Sequence, residues 1–116
     1  MRYYIGTMKK THAEKTADRH QAVAELAKAM ATLRSAQEVE SFLHDLCTPA
    51  ELEALSDRWR VVGLLEQAMP YREIHTRTGV SVTTVGRVAR FLDSGSNGYR
   101  TALLRLKTQE ETVDNE

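Results

Sequence analysis

The residues from Pro70 to Val88 are the ones whose types and order could do chemistry, and that chemistry is recognition rather than catalysis. The stretch reads Pro-Tyr-Arg-Glu-Ile-His-Thr-Arg-Thr-Gly-Val-Ser-Val-Thr-Thr-Val-Gly-Arg-Val. A short helix carries Ile74 inward, Gly79 supplies the positive φ of a turn, Val80 packs beneath it, and Ser81 caps a second helix. These are the marks of a helix-turn-helix. The second helix turns Val85 and Val88 inward and offers Val82, Thr83, Thr84, Gly86 and Arg87 outward. Those side chains are mostly short and none is acidic, as close approach to base edges in a major groove requires. Arg72 and Arg77 on the first helix would meet phosphates. His75 stands where a small residue often lets the two helices cross, so it sits at the edge of that contact or opens the angle. The DNA-binding set read from the sequence is Arg72, His75, Ser81, Val82, Thr83, Thr84, Gly86 and Arg87. The plainer alternative is an ordinary helical hairpin whose glycine only caps a helix. Basic charge, a turn glycine and a non-acidic second helix weigh against it.

Other reactive residues form no constellation. His12, His20, His44 and His75 do not have the H-x-x-x-H spacing of a metal site, and Cys47 has no C-x-x-C partner. Glu51, Glu53 and Asp57 lack a paired nucleophile and read as cap and solvated charges. The glycines between Asp93 and Gly98 match no phosphate-cradling pattern. The expectation is a protein that is not an enzyme and has no metal and no cofactor.

Charge supports the same segment. The 16 Lys+Arg and 16 Asp+Glu cancel over the chain, but not locally. Residues 68–107 hold seven basic and two acidic side chains, whereas residues 36–67 hold two and seven. A basic block of this kind favours a polyanion, although a merely solvated face would look the same by charge alone. A length of 116 residues predicts one domain over 1–116. The single cysteine excludes an internal disulfide framework and fits a reducing cytoplasm. No apolar run is long enough for a membrane span.

The elements that must hold Pro70–Val88 in place are helical. Val23, Leu26, Ala27, Met30 and Leu33 make one stripe, and Val39, Phe42, Leu43 and Leu46 make another. Ser35-Ala36-Gln37-Glu38 between them has capping-box spacing. Thr48-Pro49-Ala50-Glu51 repeats it with proline at the first helical position. The helix begun there runs to about Gln67, and its apolar set (Leu52, Leu55, Trp59, Val62 and Leu65, with Val61 and Leu64) is too broad for one contact. It is the expected central helix, with Trp59 as a core anchor or dimer contact. Asp93–Gly98 reads as a loop, after which Tyr99, Ala102, Leu103 and Leu106 restore the period. Residues 1–16 and 108–116 show no clear period and are expected to be loose ends. The fold class is all-α.

Leu46-Cys47-Thr48-Pro49-Ala50-Glu51-Leu52-Glu53-Ala54-Leu55-Ser56-Asp57-Arg58 resembles a segment of the tryptophan repressor family. Tyr71-Arg72-Glu73-Ile74, Gly79 and Thr84-Val85-Gly86-Arg87 resemble that family's DNA-reading head. The ending Asn97-Gly98-Tyr99 is closer to the repressor-related bacterial proteins of unassigned ligand. The resemblance implies a homodimer of intertwined helices whose two heads, here residues 70–92, read a palindrome. It also implies a co-repressor pocket in which an indole lies between two arginines, matching Arg58 and Arg87, with Thr48 on the amino-group side. Val88 and Phe91 stand where a glycine and a serine leave room in the family. They add bulk there, so binding of DNA without free L-tryptophan is expected. Arg58 could equally pair with Asp45 or Glu51.

Together these readings predict a cytoplasmic, homodimeric, sequence-specific transcriptional regulator of repressor type that binds double-stranded DNA and no membrane. The rival from a different class is a helical protein–protein interaction module using the same head.

Overall fold

The computed structural model describes residues 9–114, and among these it contains six helices and no strand. They are α1 (His12–Ala31), α2 (Ala36–Leu46), α3 (Pro49–Glu66), α4 (Tyr71–Thr78), α5 (Val82–Ser94) and α6 (Gly98–Asp114). The all-α expectation holds. Where length suggested one domain, the chain divides into two compact units at Leu46/Cys47.

The first unit holds α1 and α2. Thr11 caps α1 by accepting from the Glu14 backbone N–H at 3.1 Å, while the Glu14 carboxylate accepts from the Thr11 N–H at 3.2 Å. This reciprocal cap starts a helix inside the expected loose end, so that expectation is corrected for residues 12–16. The signal was present in the spacing Thr11-x-x-Glu14. At α2, Ser35 Oγ accepts from the Glu38 N–H at 3.1 Å, but the Glu38 carboxylate reaches the Arg34 N–H, at 2.7 Å, rather than that of Ser35. Neither helix has a buried residue. Met30, Leu33, Val39, Phe42 and Leu43 are half-buried, and Val23 is 60% exposed.

The second unit is built on α3, as its broad apolar set predicts. Its α3, α4 and α5 pack against one another, and α6 packs on α5. Their shared core is Val61 and Val62 of α3, Ile74 of α4, Val80 of the turn, and Val85 and Val88 of α5. Leu64, Leu65, Met69, Leu92, Tyr99 and Leu103 pack around it. The Tyr99 ring lies 6.3 Å from that of Trp59, tilted by 44°. Lys107 of α6 donates to Glu66 of α3 at 3.0 Å, and this bond holds the ammonium above its usual pKa. The loop expected at Asp93–Gly98 narrows to residues 95–97. Helix α5 continues to Ser94, and its Gly95 cap admits no Cβ because one would overlap the Phe91 carbonyl oxygen. Helix α6 continues to Asp114, which corrects the expected loose end over 108–114. Thr108 and Thr112 satisfy their hydroxyls on the carbonyls of Leu104 and Thr108, at 3.0 and 2.9 Å, and so do not interrupt the helix. Residues 1–8, 115 and 116 lie outside the described residues.

The junction between α3 and α4 is set by an unusual residue. After Gln67, Ala68 takes φ 60°. Its N–H donates to the Leu65 carbonyl at 2.9 Å and the Met69 N–H to that of Leu64 at 3.1 Å. This is a Schellman closure with alanine in the position glycine normally fills. A left-handed alanine costs about 1 to 2 kcal/mol, partly offset in a glycine variant by unfolded-state entropy. Ala68→Gly is therefore expected to stabilise the protein by about 0.5 to 1 kcal/mol. Urea denaturation with an unchanged m value checks this, and a lowered midpoint would contradict it.

Candidate nucleic-acid interface

Helices α4 and α5 are joined by three residues, Gly79, Val80 and Ser81, held from both sides by side chains. Gly79 closes α4 with φ 77°, and its N–H donates to the His75 carbonyl at 2.8 Å. Thr78 Oγ1 donates to the Ile74 carbonyl at 2.7 Å and accepts from the Val80 N–H at 3.0 Å. The carbonyl of Val80 accepts from His75 Nδ1 at 2.8 Å; a carbonyl can only accept, so the ring carries its proton on that nitrogen. Val80 thus enters the core with both backbone polar groups satisfied by α4 side chains. His75 is therefore a clasp on the turn. That role could be read only once Val80 O was placed beside it.

Ser81 starts α5. Its Oγ accepts from the Thr84 N–H at 3.1 Å and donates to Thr84 Oγ1 at 3.0 Å. Thr84 Oγ1 thus accepts a bond at the cap while its own O–H remains a donor, and the residue is half-buried. Behind it Val85 and Val88 are fully in the core, as their spacing predicts. On the outer side Val82 is 45% exposed, and Thr83 and Arg87 are exposed. Gly86 is half-buried, with a Tyr71 ring carbon 3.8 Å from where its Cβ would be. Tyr71 thus borders this face. Arg90, also exposed, follows Arg87 at i+3 spacing, which puts both guanidinium groups on neighbouring positions of one helix surface. Neither Tyr71 nor Arg90 belonged to the sequence-derived set. The i, i+3 arginine spacing could have found Arg90, whereas the approach of Tyr71 to Gly86 is a tertiary contact.

The electrostatics distinguish α5 from the helices before it. Glu14, Glu38, Glu51 and Glu73 occupy the first turns of α1 to α4, where a carboxylate offsets the positive end of the helix dipole. The first turn of α5 has no acid. On α4, Arg77 pairs with Glu73 at 3.2 Å, whereas Arg72 and Arg87 make no ion pair with a described residue and stay open to an external anion.

Thr48 caps α3, with Oγ1 accepting from the Glu51 N–H at 3.1 Å and its own N–H donating to the Glu51 carboxylate at 2.8 Å. That bond from the Thr48 backbone, and after it a hydrogen bond from the Thr48 side chain to the same carboxylate, draws the Glu51 carboxyl below its usual pKa. Arg58 is half-buried on α3 and has no ion pair to Glu51. Val88 is 1% exposed and spends its bulk inside the core rather than in a ligand space. Phe91 is 55% exposed and lines an open cleft with Ser96, Gly98 and Tyr99, none of them in the matched set. Among the described residues no group of three or more His, Cys, Asp or Glu is placed to hold a metal ion, and no helix is long and apolar enough to cross a membrane.

Comparison with known proteins gives a consistent result. The family model described as Trp repressor protein matches residues 21–107. The uncharacterized protein YerC of Bacillus subtilis (strain 168) is 38% identical over 79 residues, covering 68% of this chain and 76% of YerC. A TrpR-like protein from Eubacterium eligens ATCC 27750, known from its crystal structure, superposes with a TM-score of 0.69 at 37% identity, over 75% of this chain and 90% of that one. A Staphylococcus aureus protein described as a candidate Trp repressor superposes with a TM-score of 0.70 at 35% identity, over 84% and 96%.

Proposed function

The chain belongs to the Trp repressor protein family, a family of transcription regulators, and from that premise we propose that it is a homodimeric, sequence-specific DNA-binding regulator that represses from a palindromic operator. The observation that carries this reading is the outer face of α5. Its first turn is free of acid, it presents Val82, Thr83 and Arg87 to solvent, and the clasped turn fixes it on α4. A helix so presented fits a major groove, with Arg72 on α4 and Arg90 on α5 placed to meet phosphates.

The dimer is supported by α1 and α2. A helix gains most of its stability from packing an apolar face, and the 20 residues of α1 include no buried one. A second copy of the chain is the occupant that would cover Val23, Leu26, Met30 and Leu33 together with Val39, Phe42 and Leu43. Two heads related by a dyad would then enter successive major grooves about 34 Å apart.

Selection from a random duplex pool with the full chain, without added L-tryptophan, tests the reading. Enrichment of a dyad-symmetric sequence with half-site centres about one turn apart is the expected result. Recovery of no preferred sequence, or of a single half-site bound by a monomer in sedimentation, would overturn it. A protein-interaction module would give the first of those outcomes.

A further inference from the structure

Resting on the DNA-reading assignment of α5, we infer that Val82 reads the 5-methyl group of a thymine, so that each operator half-site contains a thymine recognised by apolar contact. The inference comes from what the face has left to read with. Thr84 has its hydroxyl bonded to Ser81 Oγ at 3.0 Å and is half-buried. Val85 and Val88 are in the core. Gly86 has no side chain and lies against Tyr71. Ser81 is committed to the cap through the Thr84 N–H at 3.1 Å. In the first turn and a half of α5, Val82, Thr83 and Arg87 are therefore the exposed side chains committed neither to the cap nor to the core.

Val82 is the exception in chemistry. It occupies the first position of α5, 45% exposed, although the core beside it buries Val80, Val85 and Val88 almost completely. Its isopropyl group has no hydrogen-bonding capacity, so the feature it can discriminate in a major groove is the one apolar group displayed there, the thymine methyl. Its place at the helix N-terminus is also where recognition helices commonly meet base edges. Arg87, a turn further on, has the bidentate donor geometry suited to a guanine or a phosphate. The two residues divide the face into an apolar end and a cationic end.

The experiment uses the operator recovered by selection and replaces each thymine in turn, symmetrically in both half-sites, by uracil. Uracil pairs identically and removes only the methyl. At one thymine per half-site the affinity of the wild-type protein is expected to fall about fourfold per half-site, the equivalent of one buried methyl-sized group. In Val82→Ala that position should become indifferent to uracil, while replacements elsewhere act as they do on wild type. Val82→Thr keeps one methyl and the same shape, and should retain part of the discrimination. The melting temperature of each variant, compared with wild type, shows that the fold is intact. A wild-type protein that selects an operator yet tolerates uracil at every position overturns the inference and leaves DNA reading standing. So does a uracil penalty that persists unchanged in Val82→Ala. Failure to select any operator removes the DNA reading itself, and this inference with it.

Discussion

Raising salt from about 50 to 200 mM is expected to weaken operator binding by at least a hundredfold, and Arg72→Ala should flatten that dependence. Each phosphate neutralised contributes about −0.9 to the slope of log affinity against log salt. If Arg72 and Arg90 each meet one phosphate in both protomers, the slope is about −3.6, which over a fourfold change in salt is a loss of about 150-fold. Removing Arg72 deletes two of those contacts and should shallow the slope by about 2, on specific and scrambled duplexes alike, because a phosphate contact positions without specifying. Glu73→Gln should act in the opposite sense. It releases Arg77 from its 3.2 Å pair and removes a negative charge from α4, so binding to any duplex should tighten. Titrations at several salt concentrations measure all three. A slope near zero would mean that the face binds an uncharged partner, and an unchanged slope in Arg72→Ala would take that residue out of the interface.

Much of this arrangement was legible in the chain because the signals are local. Thr48-Pro49-Ala50-Glu51 announces the start of α3 through a side chain and a backbone N–H three residues apart. Gly79 announces a left-handed residue, and Ile74, Val85 and Val88 declare their inward face by period. What escaped depends on separations that sequence does not show. The breadth of apolar coverage on α3 suggested several neighbours without saying that α4 and α5 share Val61 and Val62. The sequence places His75 at the edge of the helix contact or opening its angle, but the bond from its Nδ1 to the Val80 carbonyl depends on the fold of the turn. Thr84 reads from the sequence as a base-facing residue, and only the geometry of the Ser81 cap shows that its Oγ1 also accepts a bond there. The ends misled for a different reason. A solvent-exposed helix needs no apolar period, so α1 before Thr16 and α6 after Lys107 gave no stripe to detect, and capping at Thr11 was the one local cue.

Ile74→Ala is expected to cost about 2 to 5 kcal/mol, the range for truncating a fully buried isoleucine, whereas Ile74→Val should cost about 0.5 to 1.5 kcal/mol. Ile74 is 0% exposed and belongs to the cluster formed by Val61, Val62, Val80, Val85 and Val88, all of them β-branched and already closely enclosed. Stiff valines have little rotamer freedom with which to collapse into the vacated volume, so the cavity should persist and the cost should lie well above the transfer term alone. Relative to the roughly 5 to 15 kcal/mol that stabilises a typical domain, the loss is large. It also falls on function, because Ile74 is the buried residue of the helix that carries Arg72 and His75 and packs α4 on α5. Urea midpoints should rank wild type above Ile74→Val and that above Ile74→Ala. Operator affinity of folded Ile74→Ala at low temperature should fall further than its salt slope changes, because no phosphate contact has been removed and only the placement of α5 has loosened. If the alanine variant cost no more than the valine one, α4 would not be packed as described, and the face built on it would lose its support.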